Sequence, residues 1–306
     1  MNETLQNNSL TPDDMNSGYD LDVLIASFGK EGLERLARLN IPKIDGVRWI
    51  ISSQIPDKRY PPVPEQLQRP DILINFSDSE GLALNRNILL EIAEAPLCLI
   101  ADDDQIFSPE GIRKIIESFN QNPSLSVAAF KYNSLPGKYR DYPFTRISDE
   151  PIFEKDYPDY SFPLDRPVRN FYISAIEIAF RLDDIKKHRI RFNERFGIKA
   201  EYPCGEDSIF LHDCLNAGMK GKFFPILIAT HLGSSTGSRK VGDPGILRAQ
   251  GVLIPLLYPA SGFPRVILKA WRSSRSSEAS FFFCLRHTML GWIDFHIHKS
   301  ELFPHE

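Results

Sequence analysis

An apolar run from Leu97 to Ala101 ends in three consecutive carboxylates, Asp102, Asp103 and Asp104. A buried strand of a parallel sheet suits the run but gives no reason for its tip, because neighbouring negative charges repel and cost desolvation. A hard divalent cation removes that objection. Mg²⁺ or Mn²⁺ takes oxygen ligands and keeps positions open for substrate phosphates, and ligands of open α/β sheets sit beyond the carboxyl ends of strands. Alternation along a strand would put Asp102 and Asp104 on one face. The competing reading is a polar loop whose acids favour the start of the following helix.

Three further groups carry chemistry. Gly205-Glu206-Asp207 stands before Ile209, Phe210 and Leu211, which puts two carboxylates at a helix N-terminus, where the dipole favours their ionised form. An ionised carboxylate at the mouth of a cleft can act as general base toward a hydroxyl; ordinary helix capping accounts for the same residues. His231 follows an apolar strand and precedes a GSSTG loop. Its imidazole is a reasonable extra ligand for a carboxylate-bound metal, although a lone histidine at a strand end is more often structural. In Gly81–Asn87 (GLALNRN), Arg86 lies in the first turns of a helix. It could offer its fork of donors to a diphosphate or belong to a solvated helix face.

The elements that must position these residues alternate regularly. Strands are expected at Leu21–Phe28, Val47–Ser53, Asp71–Phe76, Leu97–Ala101 and Leu125–Tyr132, with helices at Gly29–Leu39 and Leu82–Glu94. The latter carries Leu84, Ile88 and Ile92 at four-residue spacing. Ser108-Pro109-Glu110 reads as an N-cap and first helical position ahead of Gly111–Phe119. This rhythm implies an α/β fold, a mostly parallel central sheet with helices on both faces. Gln54–Pro70 is too rich in proline for regular structure, and Asn133–Pro167 reads as irregular loops. A strand pattern resumes at Phe171–Phe180, followed by a helix near Ser208–Ala217 and a strand Lys222–Thr230.

The chain has 306 residues, 42% apolar and 25% charged, and a net charge of −4, which marks a globular protein and gives no argument for nucleic acid as a partner. Its four cysteines have no CxxC spacing, against a zinc or thiol–disulfide motif. The polar, acidic start, rich in Asn, Ser and Asp through residue 18, reads as a flexible tail without the basic and apolar stretches of a secretory signal. A reduced, cytoplasmic location is the expectation.

Taken in order, the strand LDVLIASF, then GLALNRN, LCLIADDD, GED before a helix, and a strand ending in His231 resemble the inverting family 2 glycosyltransferases of GT-A fold. The resemblance covers about residues 20–235. It implies a catalytic domain over 19–240 that moves a sugar from a nucleotide-diphosphate donor to a hydroxyl of a saccharide or lipid-linked acceptor, with Mn²⁺ or Mg²⁺ as cofactor. Asp102 and Asp104 would bind metal and nucleotide ribose, with His231 as an added ligand. Asp207 would be the base, and Glu206 would orient the acceptor or the base. Ser27, Gln54, Arg86, Asn87 and Asp103 join Asp102 in the implied donor-binding set. Two places depart from the family pattern. Ser52-Ser53-Gln54 stands where an acid usually contacts the nucleotide base, and the first strand ends Ser27-Phe28-Gly29 instead of in a Pro-Thr-Tyr-Asn-like loop. Base recognition would then fall to Gln54 or backbone groups. A nucleotidyltransferase also uses aspartates and a metal on such a sheet, but Ser27–Gly32 has only Lys30 where a triphosphate would need more. A non-catalytic sugar- or nucleotide-binding relative is the third reading.

From Ile246 the sequence turns apolar, aromatic and basic. Between Arg239 and Lys299 nine Lys/Arg stand against three acids, a difference of +6. Residues 241–306 are expected to form an amphipathic helical region, with helix candidates at Leu253–Leu257, Val266–Trp271 and Phe281–Trp292. Basic side chains among Trp and Phe suit peripheral contact with an anionic membrane, at its inner face for a cytoplasmic protein; a lid or a dimer surface is the alternative.

Overall fold

Along β1, Leu21, Val23 and Ile25 enter one core while Leu24 and Ala26 enter another, so the strand is buried on both faces, as a central parallel strand must be. The computed structural model describes residues 18–135, 152–153, 155–165, 172–232 and 241–303. The expected tail (save Gly18), most of the irregular segment 133–167 and the GSSTG loop lie outside the described residues. In chain order the elements are β1 (Leu21–Phe28), α1 (Gly29–Leu39), β2 (Val47–Gln54), β3 (Ile72–Ser77), α2 (Leu82–Ile92), β4 (Leu97–Asp102), β5 (Gln105–Phe107), α3 (Pro109–Asn120), β6 (Val127–Leu135), β7 (Phe162–Pro163) and β8 (Ile178–Arg181). There follow α4 (Leu182–His188), α5 (Glu206–Asn216), β9 (Gly221–Leu232), α6 (Pro244–Leu257), α7 (Gly262–Arg275) and α8 (Phe281–Leu302).

The sheet runs β3-β2-β1-β4-β8-β6-β9-β5, with β7 beside β9. Strands β1 to β4, β6 and β9 point one way; β5, β7 and β8 run against them. Helices α1 and α3 cover one face through Leu33, Leu36, Ile112 and Ile115. The other face is covered by α2, α4 and α5 through Leu89, Ile185 and Phe210. The expected architecture is therefore present: α/β, mostly parallel, helices on both faces, with three helices after β9. Those helices pack on α5 and on the loop before it, joining Ala249, Val252 and Phe295 to Phe196, Tyr202 and Ile209.

Three departures have local causes. β5 follows the acidic tip almost at once and pairs antiparallel with β9, a three-residue strand too short for any period to show. The strand expected over Phe171–Phe180 is reduced to Ile178–Arg181. Ser174 N donates to the buried Glu177 carboxylate (2.5 Å), and Ala175–Glu177 closes into a 3₁₀ turn instead. In α2 the spaced Leu84, Ile88 and Ile92 are only half-buried, whereas Asn85, Arg86 and Asn87 are buried, so this helix turns polar groups inward.

At the opposite edge of β1, Asp22 is completely buried and pairs with Arg48 Nε at 2.8 Å. It also accepts hydrogen bonds from Glu94 N (2.8 Å) and Ala95 N (2.9 Å), fixing the turn from α2 into β4. Truncating one member of such a pair strands the other charge. Asp22→Ala is expected to lower stability by about 3–5 kcal/mol, seen as a lower urea midpoint at unchanged slope.

Candidate active site

The carboxyl ends of β1, β2 and β4 lie side by side, with Ala26 opposite Asp102, Ser27 opposite Ser53 and Phe28 opposite Gln54. β4 ends at Asp102 and the chain turns there, so strand alternation no longer governs the next two residues and the three aspartates fan apart. Asp102 Oδ1 takes a hydrogen bond from Arg86 Nη2 at 3.1 Å, and Gln105 Oε1 accepts from the Asp102 backbone N–H at 2.8 Å. Asp103 pairs with Arg35 of α1. Asp104 Oδ1 lies 3.2 Å from His231 Nε2 on β9.

Their ionisation follows these surroundings. Burial pushes Asp103 up to about 6; the Arg35 charge opposes the shift and the neighbouring Asp104 and Asp102 charges add to it. The bare backbone of Gly32 makes room there, since a Cβ would run into both Ser27 Oγ and the Asp103 carboxylate. Burial also works against an ionised Asp104, but the hydrogen bond and charge of His231 outweigh it and hold Asp104 below the usual carboxylate range.

Arg86 joins the two acidic elements. Its side chain is 4% exposed, with Nη1 on Glu206 Oε1 at 3.0 Å and Nη2 on Asp102, and it lies over the Phe192 ring at 5.4 Å. Residues 16 and 120 positions away in sequence thus meet on one guanidinium. Desolvation alone would lower the Arg86 pKa, yet the charges of Asp102, Glu206 and Asp207 raise it. Burial and the Asp207 charge push Glu206 upward against the pull of Arg86.

Glu206 and Asp207 occupy the first turn of α5. Gly205 caps that helix at φ 106°, and a Cβ there would sit 2.6 Å from Leu253 Cδ1 of α6. Glu206 is buried against Arg86. Asp207 is half-buried, and its carboxylate accepts from its neighbour Ser208 N at 2.7 Å. Of the pair, Asp207 therefore has the oxygen better placed to take a proton.

Other expected site residues face inward. The Gln54 amide donates to Ser79 Oγ (2.9 Å) and Gly81 O (3.1 Å) and accepts from Gly81 N (3.2 Å). The Asn87 amide clasps the loop before α5, donating to Phe192 O (2.9 Å) and Glu194 Oε1 (2.8 Å) and accepting from Phe192 N (2.8 Å). Donor contact through the Gln54 or Asn87 amide N–H groups requires these bonds to open, whereas Arg86 keeps its Nε without a partner among the described residues. Two further residues, not singled out from sequence, shape the site. Gln105 fixes the Asp102 backbone, and Asn85 Nδ2 donates to Ser27 O (3.1 Å) and Ser52 O (2.9 Å). The polar triplet Asn85-Arg86-Asn87 within an otherwise apolar helix was the available signal for Asn85.

Among the described residues, no three His, Cys, Asp or Glu side chains gather into a metal cage. Asp102, expected to be a ligand, has its Oδ1 on Arg86 Nη2. The remaining pair, one carboxylate and one imidazole, fits a hard cation that takes few protein ligands and completes its shell with water and phosphate oxygens.

Comparison with solved structures bears on the scaffold. The chain superposes on S. aureus TarS 1–349 with a TM-score of 0.50 at 13% identity, covering 94% of this chain and 75% of that one. For TarS 1–349 in complex with UDP-GlcNAc the TM-score is 0.50 at 14% identity, covering 77% and 66%; for the UDP complex it is 0.49 at 16%, covering 77% and 65%. The likeness is one of fold. In the two nucleotide complexes it takes in about two thirds of the TarS chain. No protein-family model and no curated protein matches.

Proposed function

We propose that this chain is an inverting glycosyltransferase of family 2 type that uses a nucleotide-diphosphate sugar as donor. The carrying observation is the meeting of Asp102 with Glu206, and hence Asp207, at Arg86 beyond the carboxyl ends of β1 and β4, where α/β sheets bind ligands. Buried polar atoms near these strand ends add support: among the described residues, Ser53 Oγ, Asn85 Oδ1 and Arg86 Nε have no hydrogen-bond partner, and such groups call for a ligand or water. TarS binds UDP-GlcNAc on the same fold, so a UDP-sugar is the donor to try first.

In this reading Asp104 and His231 would hold the cation, which would supply neutralisation of the charge on the departing diphosphate. Asp207 accepts the proton of the acceptor hydroxyl. The hydroxyl oxygen bonds to the anomeric carbon as the bond to the diphosphate oxygen breaks on the opposite face. An α-linked donor yields a β-linked product. The acceptor is a saccharide or a lipid-linked saccharide, in the synthesis of a surface polysaccharide or glycolipid. Glu206, held by Arg86, positions Asp207. A nucleotidyltransferase remains less favoured because α1 brings only Lys30 and Arg35 near the first strand end, and Arg35 is already paired with Asp103.

Titration calorimetry with UDP, with and without Mn²⁺, tests the donor site. The wild-type protein is expected to bind UDP with a clear Mn²⁺ requirement, and Asp104→Asn is expected to weaken that binding at least tenfold, the scale seen when metal sites lose a supporting group. UDP affinity indifferent to both Mn²⁺ and the substitution would overturn the metal assignment.

A further inference from the structure

The helices after β9 leave large apolar side chains on the outside. On α7, Phe263, Ile267 and Trp271 recur every fourth residue and are 48%, 43% and 52% exposed, while Val266, Ala270 and Ser273 on the other side are buried. On α8, Phe282 and Ile297 are 79% and 67% exposed, with Leu290 and Ile293 between them, and Cys284, Thr288, Gly291 and Phe295 face inward. Phe263 packs edge-on against Trp292, ring centroids 5.8 Å apart, so the two outer faces adjoin. Contiguous exposed apolar surface of this kind marks a contact surface.

Charge says what the contact is with. Arg265, Arg272, Arg275 and Arg286 are exposed on these helices, and among the described residues none forms an ion pair. Of the acids of the region, Asp243 accepts from Gly245 N and Ile246 N, Asp294 pairs with Arg248 at 2.5 Å and Glu301 faces His298 at 3.5 Å, while Glu278, between α7 and α8, is exposed and leaves the arginines in excess. Arg265 stacks 3.9 Å over Tyr258 and Arg275 lies 5.9 Å from the Trp271 ring. Aromatic and aliphatic groups bordered by such guanidiniums suit the boundary of an anionic leaflet, with the rings among the acyl chains and the charges among the headgroups. A second copy on the same face would set arginine against arginine.

We propose that the outer faces of α7 and α8 seat this protein peripherally on an anionic lipid surface. The contact lies flat. No single helix among the described residues is long and apolar enough to cross a membrane; α6 and α7 together pass that test as a pair bent by 108°, but the apolar residues of α6 are taken up by the protein's own core. This inference stands apart from the transferase reading, because its test involves no sugar transfer.

Co-sedimentation of the full chain with vesicles of phosphatidylcholine, alone or mixed with phosphatidylglycerol, decides it. Binding is expected to rise about tenfold or more with the anionic lipid and to fall with added salt. The triple variant Trp271→Ser, Phe282→Ser, Ile297→Ser should lose about tenfold or more of that binding while circular dichroism is unchanged. The triple variant Arg272→Gln, Arg275→Gln, Arg286→Gln should lose the anionic preference and keep its fold. Equal sedimentation with and without vesicles overturns the proposal. So does a dimer in light scattering that the first triple variant dissociates, which would assign the face to a second copy.

Discussion

Asp207→Asn slows sugar transfer by roughly 10²–10⁴-fold while the donor still binds, the expected cost of losing a positioned general base. The substitution keeps the shape of the side chain and its ability to accept from Ser208 N (2.7 Å), so the start of α5 should be undisturbed. It removes the proton acceptor alone. Initial rates with saturating acceptor and calorimetry with UDP separate the two effects: turnover falls, donor affinity stays. Near-normal turnover of the purified variant would remove Asp207 from the mechanism and return attention to Glu206. That alternative has a structural cost, because Glu206 is buried and already engaged by Arg86 at 3.0 Å.

A stability effect as large as that at Asp22 is expected at Arg86. Replacing it with Leu strips the counter-charge from both Asp102 and Glu206, and a buried pair broken from one side costs about 3–5 kcal/mol. For a chain of this size that corresponds to a fall of roughly 10 °C in the thermal midpoint. Arg86→Lys is expected to fall in between, since a single ammonium cannot match a fork that spans two carboxylates. Adding Asp102→Asn and Glu206→Gln to Arg86→Leu removes the stranded charges and should recover part of the loss. If Arg86→Leu melts with the wild type, the guanidinium is not what joins the two acidic elements.

Much of this arrangement is legible in the residues themselves. Strands β1 and β4 are buried on both faces, so they appear as mainly apolar runs, broken in β1 only by Asp22 and Ser27, and Ser108 caps α3 through Gly111 N at 3.1 Å, as Ser-Pro-Glu suggests. The acidic tip and the Gly-Glu-Asp turn stand out because clustered charge is costly without a purpose. What stayed hidden is set by pairing across long stretches of chain. β5, β7 and β8 are two to four residues long and exist through their registers with β9, β4 and β6. From sequence Arg86 reads either as a diphosphate contact or as part of a solvated helix face, because nothing in GLALNRN tells of carboxylates 16 and 120 positions on. The divergence of Asp102 from Asp104 was hidden for a simpler reason. Alternation applies only while the strand lasts, and β4 stops at Asp102.

The close approach of Leu253 to Gly205 gives the last three helices a mechanical meaning. Gly205 is the pivot from which the Glu206–Asp207 turn springs, and Leu253 is the wedge pressed against it from α6. A chain cut before residue 241 would lose that wedge along with its outer helices. The acids would then rest on an unbraced hinge, and turnover would suffer even where the sheet and its carboxylates survived intact.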